Sequence, residues 1–134
     1  MTKEYHISLT LILAFCSISV FSQRTYETNP DRKRGFNWMF GENIWLDFKT
    51  NPPTLKSGSQ LSAIESAATY SDTAGNLLFY SDGITVWNSN HKIIKNGTNL
   101  GGNHSSSQGC IFIKHPSNDS IVYLFTTDAQ GGNK

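Results

Sequence analysis

The sequence predicts an all-β chain folded as an antiparallel meander, on three observations. From Phe36 onward the apolar residues fall in short runs rich in aromatic and β-branched side chains. Asp-Gly, Gly-Asn and Asn-Pro turn signals separate these runs at roughly ten-residue spacing. Beyond residue 22, no stretch carries the 3.6-residue apolar period of an amphipathic helix. Spacing alone leaves a sandwich, a barrel and a propeller open.

The first segment is read apart from that fold. Lys3 supplies a positive start, and Ile7 to Phe21 is an apolar stretch of about 15 residues, long for a core strand and short for a membrane span. Val20 and Ser22 place modest side chains at the −3 and −1 positions ahead of Gln23, as signal peptidase requires. Residues 1–22 are therefore expected to be a secretory signal, with an uncleaved anchor as the alternative. Lipoprotein processing at Cys16 is disfavoured by the bulk of Phe15. No membrane span is expected after cleavage. With Cys16 gone, Cys110 has no partner for an internal disulfide, and its place at the head of Cys110-Ile111-Phe112-Ile113 suits a small buried hydrophobe.

At 134 residues, one domain with a core of useful size is expected. The net charge is +1 with 16% charged residues, which excludes the concentrated basic face that nucleic acid or an acidic membrane would need. Arg32-Lys33-Arg34 is the one basic cluster and reads as a solvated loop.

In chain order, residues 23–35 are polar and read as an extended linker, and 36–134 as the β domain. Phe36 to Gly41 and Ile44 to Phe48 alternate as two strands, ended by Asn51-Pro52-Pro53, since prolines cannot donate to a ladder. Ser57-Gly58-Ser59 is a turn. The centre is Glu65 to Asn88: strands at Ala67 to Tyr70, Leu77 to Tyr80 and Ile84 to Trp87, joined by Ser71 to Asn76 and by Ser81-Asp82-Gly83. Gly75 and Gly83 can reverse the chain at positive φ. Tyr70-Ser71-Asp72 returns as Tyr80-Ser81-Asp82, as in successive strands of one sheet. Asn88 to His91 is a polar turn, Ile93-Ile94 a short apolar pair, and 96–109 a Gly-, Asn- and Ser-rich loop of the kind that carries function. Cys110 to Lys114 and Ile121 to Thr127 are the last strands. A turn-like stretch after Thr127 leaves an unpaired edge, so the chain is expected to be the N-terminal piece of a longer polypeptide.

No catalytic constellation emerges, and the chain is read as non-enzymatic. Asp82 to Trp87 has the residues of an Asp-box without its spacing, and a hairpin turn accounts for them. His104 lies beside Ser105, Ser106 and Ser107, but the Gly-x-Ser-x-Gly elbow and its helix are missing. Glu65, at the entrance to a strand of small residues, is a carboxylate that burial would oblige to find donors or a cation. A glycosidase needs a second facing carboxyl, and spacing selects none among Asp47, Asp72 and Asp82. His91, His104, Cys110 and His115 lack zinc-site spacing, and no calcium loop occurs, so no metal or cofactor is expected. Trp38, Trp45 and Trp87 suit either the core or a stacking surface for sugars.

Across residues 36–127 the chain resembles the N-terminal propeller-like domain of large exported Bacteroidota proteins, gliding-motility-associated and PKD-containing substrates of type IX secretion. The resemblance rests on Trp38-Met39-Phe40-Gly41, Leu46-Asp47-Phe48, Glu65 with Ala67, and Ser71-Asp72. It continues through Gly75-Asn76-Leu77-Leu78-Phe79-Tyr80, Ser81-Asp82-Gly83, Val86-Trp87-Asn88 and His91. Asn96-Gly97, Leu100, Gly102, Ser105-Ser106 and Gln108 complete it, while Trp45 and Lys114-His115-Pro116 depart from the pattern. It implies an incomplete β-propeller-like domain, with a β-sandwich as the alternative, on a secreted or surface protein with a binding, adhesion or structural role. A glycan or a cell-surface protein would be the partner, and ligand contacts are expected at Glu65, Asp82, Trp87 and His104. The rival expectation is a glycan hydrolase completed by downstream sequence, using Glu65, Asp82 and His104. Asp72-Thr73-Ala74 and Asp119-Ser120-Ile121 resemble the Asp-Ser/Thr-aliphatic pattern glycosylated on exported proteins of that group.

Overall fold

In the chain's structure, a computed structural model, residues 29–129 are described. The expected signal 1–22 and most of the expected linker lie outside them. Asn29 and Pro30 close a first unit that ends at Pro30; the account below concerns the unit from Asp31 onward.

The fold is all-β. Eight short strands are laid down in chain order: β1 (Asn37–Phe40), β2 (Ile44–Asp47), β3 (Thr54–Lys56), β4 (Ala68–Ser71), β5 (Leu77–Ser81), β6 (Val86–Asn88), β7 (Cys110–Lys114) and β8 (Val122–Thr126). They form three separate antiparallel sheets, β1-β2-β3, β4-β5-β6 and β7-β8, each a simple meander. No barrel closes. The extended linker expected up to residue 35 is corrected at its end, where Pro30–Gly35 is a 3-10 helix. Pro30 can open such a turn because its fixed φ is helical and its missing N–H is not needed there.

Register decides which side chains meet. In the first sheet Asn37 pairs with Asp47 and Met39 with Trp45, so these residues share one face. Trp38, Leu46 and Leu55 form a row on the opposite face, next to the pair Phe40 and Ile44. In the middle sheet Thr69, Tyr80 and Trp87 make one row, facing the first sheet. The core joins Met39, Leu61, Ala63, Leu77, Tyr80 and Trp87, with Trp45 and Ala67 packed against it. The Tyr80 and Trp87 rings stack at 5.2 Å and 13°, an arrangement worth about 0.5–1.5 kcal/mol beyond the buried area.

The sheets approach one another through their first strands, β1 beside β4 and β4 beside β7. Thr69 Oγ1 donates to the Asn37 carbonyl at 2.7 Å across the first of these junctions. Asn37, 2% exposed, also donates through Nδ2 to Ser71 Oγ and the Gly75 carbonyl, both at 2.9 Å, and its Oδ1 accepts from Trp45 Nε1. A buried amide without those partners would cost stability; here it stitches two sheets together. Across the second junction the Tyr70 and Phe112 rings lie 6.1 Å apart, and Cys110 Sγ donates to the Ser81 carbonyl at 3.6 Å. First strand thus lies beside first strand from one sheet to the next.

Two segments outside the strands complete the packing. Residues 61–63 run back along the β1–β2 turn, with Asn43 N donating to the Leu61 carbonyl and Ala63 N to that of Gly41. The pair Ile93-Ile94 lies along the β6 edge, where Trp87 and Ile93 form a bridge. Strand β3 has no counterpart in the sequence reading: Thr54-Leu55-Lys56 is wholly exposed and follows two prolines. Ile84 falls in the turn, so β6 begins two residues later than the pattern suggests.

Candidate functional site

The Tyr-Ser-Asp repeat explains much of the local geometry. Ser71 and Ser81 are fully buried, and each following Asp organises a turn. Asp82 Oδ1 accepts from Ile84 N at 2.9 Å and Thr85 N at 2.7 Å, so this carboxylate holds the β5–β6 turn. Asp72 Oδ1 likewise accepts from Ala74 N and Asn76 N, both at 2.8 Å, and Oδ2 from Asn76 Nδ2. These bonds, those from Asn76 foremost, hold the Asp72 pKa below the ordinary aspartate value.

The four residues expected to touch ligand separate into different roles. Trp87 is in the core against Tyr80. Asp82 is committed to its turn. Glu65 is exposed, and its Oε2 accepts from Ser107 Oγ at 2.7 Å. His104 is exposed too, and its carbonyl accepts from the backbone of Glu65 and of Ser66, both at 3.1 Å. Glu65 and His104 thus meet through the main chain.

The loop over residues 102–109 is clamped onto the Asp82 turn by small residues. A Cβ on Gly109 would stand 2.6 Å from Ser66 Oγ, and one on Gly83, at φ +90°, 2.9 Å from the same atom. Ser66 Oγ in turn donates to Cys110 Sγ at 3.4 Å. Burial pushes the Cys110 pKa up, which suits an inert packing role and not a nucleophile.

The concave surface lies elsewhere, along the first strands. One cleft of about 390 Å³ is lined by Trp38, Met39, Phe40, Glu65, Ala67 and Thr69. A second, of about 450 Å³, adjoins it at Thr69 and is lined by the 3-10 helix, by Tyr70 of β4, and by Phe112, Ile113 and Lys114 of β7. Arg34 is fixed at its wall. Its guanidinium lies 5.3 Å from the Tyr70 ring centre, and Nη1 donates to Tyr70 Oη at 3.0 Å and to the Ser71 carbonyl at 2.9 Å. Its Nε pairs with Asp31 at 2.6 Å, the leading cause of its raised pKa. On the far wall Lys114 pairs with Asp119 at 2.6 Å.

Such a groove offers ring faces for stacking between fixed charges of both signs. Among the described residues, Glu65 is the one ionisable side chain lining its cleft, and Asp31 lines the adjoining one. Among the described residues, no three His, Cys, Asp or Glu side chains gather as metal ligands. His91 rests against Trp45 and Tyr80, with Nδ1 3.1 Å from Tyr80 Oη, and His115 rests against Tyr123. No helix among the described residues is long and apolar enough to cross a membrane.

Arg34, Tyr70, Phe112 and Lys114 were not selected by sequence reasoning. Arg34 sits in a basic run that reads as solvated, and the ring pair Tyr70–Phe112 joins residues far apart in the chain. The apolar alternation around each ring was the one available signal. No protein-family model, no curated protein and no solved structure matches the chain.

Proposed function

We propose that this is an exported cell-surface protein with a non-catalytic binding or adhesion role, and that the groove along β1, β4 and β7 is its recognition surface. The observation that carries this reading is the pair of exposed rings Trp38 and Phe40 beside Glu65 in one cleft, with Phe112, packed on the buried Tyr70, beside Arg34 and Lys114 in the adjoining one. Aromatic faces stack on the apolar face of a sugar ring or on a peptide side chain, and the flanking charges fix orientation. The leader-like residues 1–22 support export, and the resemblance to surface proteins of Bacteroidota supports the setting. A surface glycan is the favoured ligand, with a protein loop as the alternative partner.

Glycan arrays and whole-cell adhesion test the reading. Binding is expected, and Phe112→Ala is expected to weaken it by about tenfold, the loss of one stacking contact. Absence of binding to glycans, proteins and cells would contradict it. So would an unchanged affinity in Phe112→Ala and Trp38→Ala together.

A further inference from the structure

The cleft over β1 has a one-sided chemistry: its side chains can accept hydrogen bonds but have none left to donate. Trp38 and Phe40 stand two residues apart on one face of β1, about 6.6–6.8 Å along the strand, and both rings are exposed. Trp38 is fixed before any ligand arrives. Its indole Nε1 donates to the Gly35 carbonyl at 2.9 Å, and its ring centre lies 5.0 Å from that of Phe48. The Thr69 hydroxyl donates to the Asn37 carbonyl at 2.7 Å. Met39, Phe40 and Ala67 carry no side-chain donor. What faces a ligand is therefore two ring surfaces and the Glu65 carboxylate.

Charge is one-sided in the same way. In the adjoining cleft each cation has its own carboxylate, Arg34 with Asp31 and Lys114 with Asp119, both at 2.6 Å. Glu65 is exposed and accepts from the neutral Ser107 hydroxyl at 2.7 Å, and among the described residues it forms no ion pair. A carboxylate beside exposed rings is complementary to a cation, which ring faces attract and the carboxylate binds by charge-assisted hydrogen bonds. Resting on the recognition role proposed for the groove, we infer that this cleft takes a glycan bearing a free amino sugar. The ammonium donates to Glu65 while the apolar face of the sugar lies on Trp38 and Phe40. A sugar fits better than a lysine side chain because the platform is two rings long, and a single alkyl stem would leave one ring bare. The cleft, at about 390 Å³, lies near the lower end of the roughly 300–1,000 Å³ range of small-molecule sites. N-acetylation removes the amine's charge and all but one of its donors, and an acidic sugar would meet Glu65 with like charge, so both are discriminated against.

Titration calorimetry on the purified full chain, at about pH 6 where the amine is charged, tests this with three probes. They are a glucosamine oligosaccharide, its N-acetylated counterpart and an oligolysine peptide of the same length. The indole N–H resonance of Trp38 reports whether each occupies the cleft. The glucosamine oligosaccharide is expected to bind about tenfold more tightly than the acetylated one, to shift that resonance, and to weaken as salt is added. Glu65→Gln keeps an oxygen for Ser107 and is expected to bring the two sugar affinities together with an unchanged circular dichroism spectrum. Equal affinity for both sugars in the wild type would overturn the amino-sugar inference while leaving a glycan-binding groove in place. A preference that survives Glu65→Gln would overturn it as well. Tighter binding of oligolysine than of either sugar would overturn it and assign the cleft to a protein partner. Binding of none of the three would overturn it too, and glycan arrays and cell adhesion would then decide the recognition role separately.

Discussion

Asp72 and Asp82 occupy equivalent places in a repeated Tyr-Ser-Asp triplet, and the repeat is conformational in origin. An aspartate after a strand accepts the amides of the turn that follows, which frees the chain to reverse without orphaned donors. For Asp72 this has a consequence in acid. Its folded-state pKa lies below the unfolded value, so the stabilisation is fully present above the unfolded value and is lost as pH falls through the folded one. Urea unfolding below about pH 4 should therefore weaken less steeply in Asp72→Asn, which keeps an accepting oxygen but cannot titrate. The difference will be small, because the group is open to solvent. Parallel pH profiles of the two proteins would remove this carboxylate from the acid response. Asn37 teaches the complementary lesson: nothing around it in the sequence marks a buried amide, because its partners Trp45, Ser71 and Gly75 become neighbours only when two sheets meet.

At the scale of elements, the 3-10 helix before β1 is the part most dependent on one side chain. Arg34 lashes it to β4 through Tyr70 Oη and the Ser71 carbonyl. Arg34→Met keeps the apolar stem and deletes those bonds and the contact over the ring. About 1–2 kcal/mol of stability should go with them, read from urea midpoints, together with faster hydrogen exchange at Phe36 N, which donates to Lys33 at the helix end. Strands β7 and β1 were legible because alternation and turn residues coincide there; Cys110 to Lys114 is the strand the pattern marks out. The linker's last turn was not, because three consecutive basic residues look solvated until one of them finds an aromatic ring across the fold. Strand β3 was hidden for a different reason. Its three residues are all exposed, and beyond the backbone ladder to β2 they add one long ion pair, Lys56 Nζ to Asp47 Oδ2 at 3.9 Å. The groove was illegible for the same reason as Asn37: strand alternation shows which side chains share a face but not which sheet that face will meet.

At the scale of the whole molecule, three small meanders are stacked through their first strands, leaving a groove along those strands. The groove and the core both follow from that single arrangement. An account in which β4 pairs with other neighbours would lose both together. The most direct test is nuclear Overhauser contact in an isotopically labelled sample. Cross-peaks are predicted between the Tyr70 and Phe112 rings and between Asn37 and the Thr69 side chain, alongside slowly exchanging amides in β4 and β5. Slow amides with neither cross-peak, or a spectrum dominated by helical sequential contacts, would contradict the stacking.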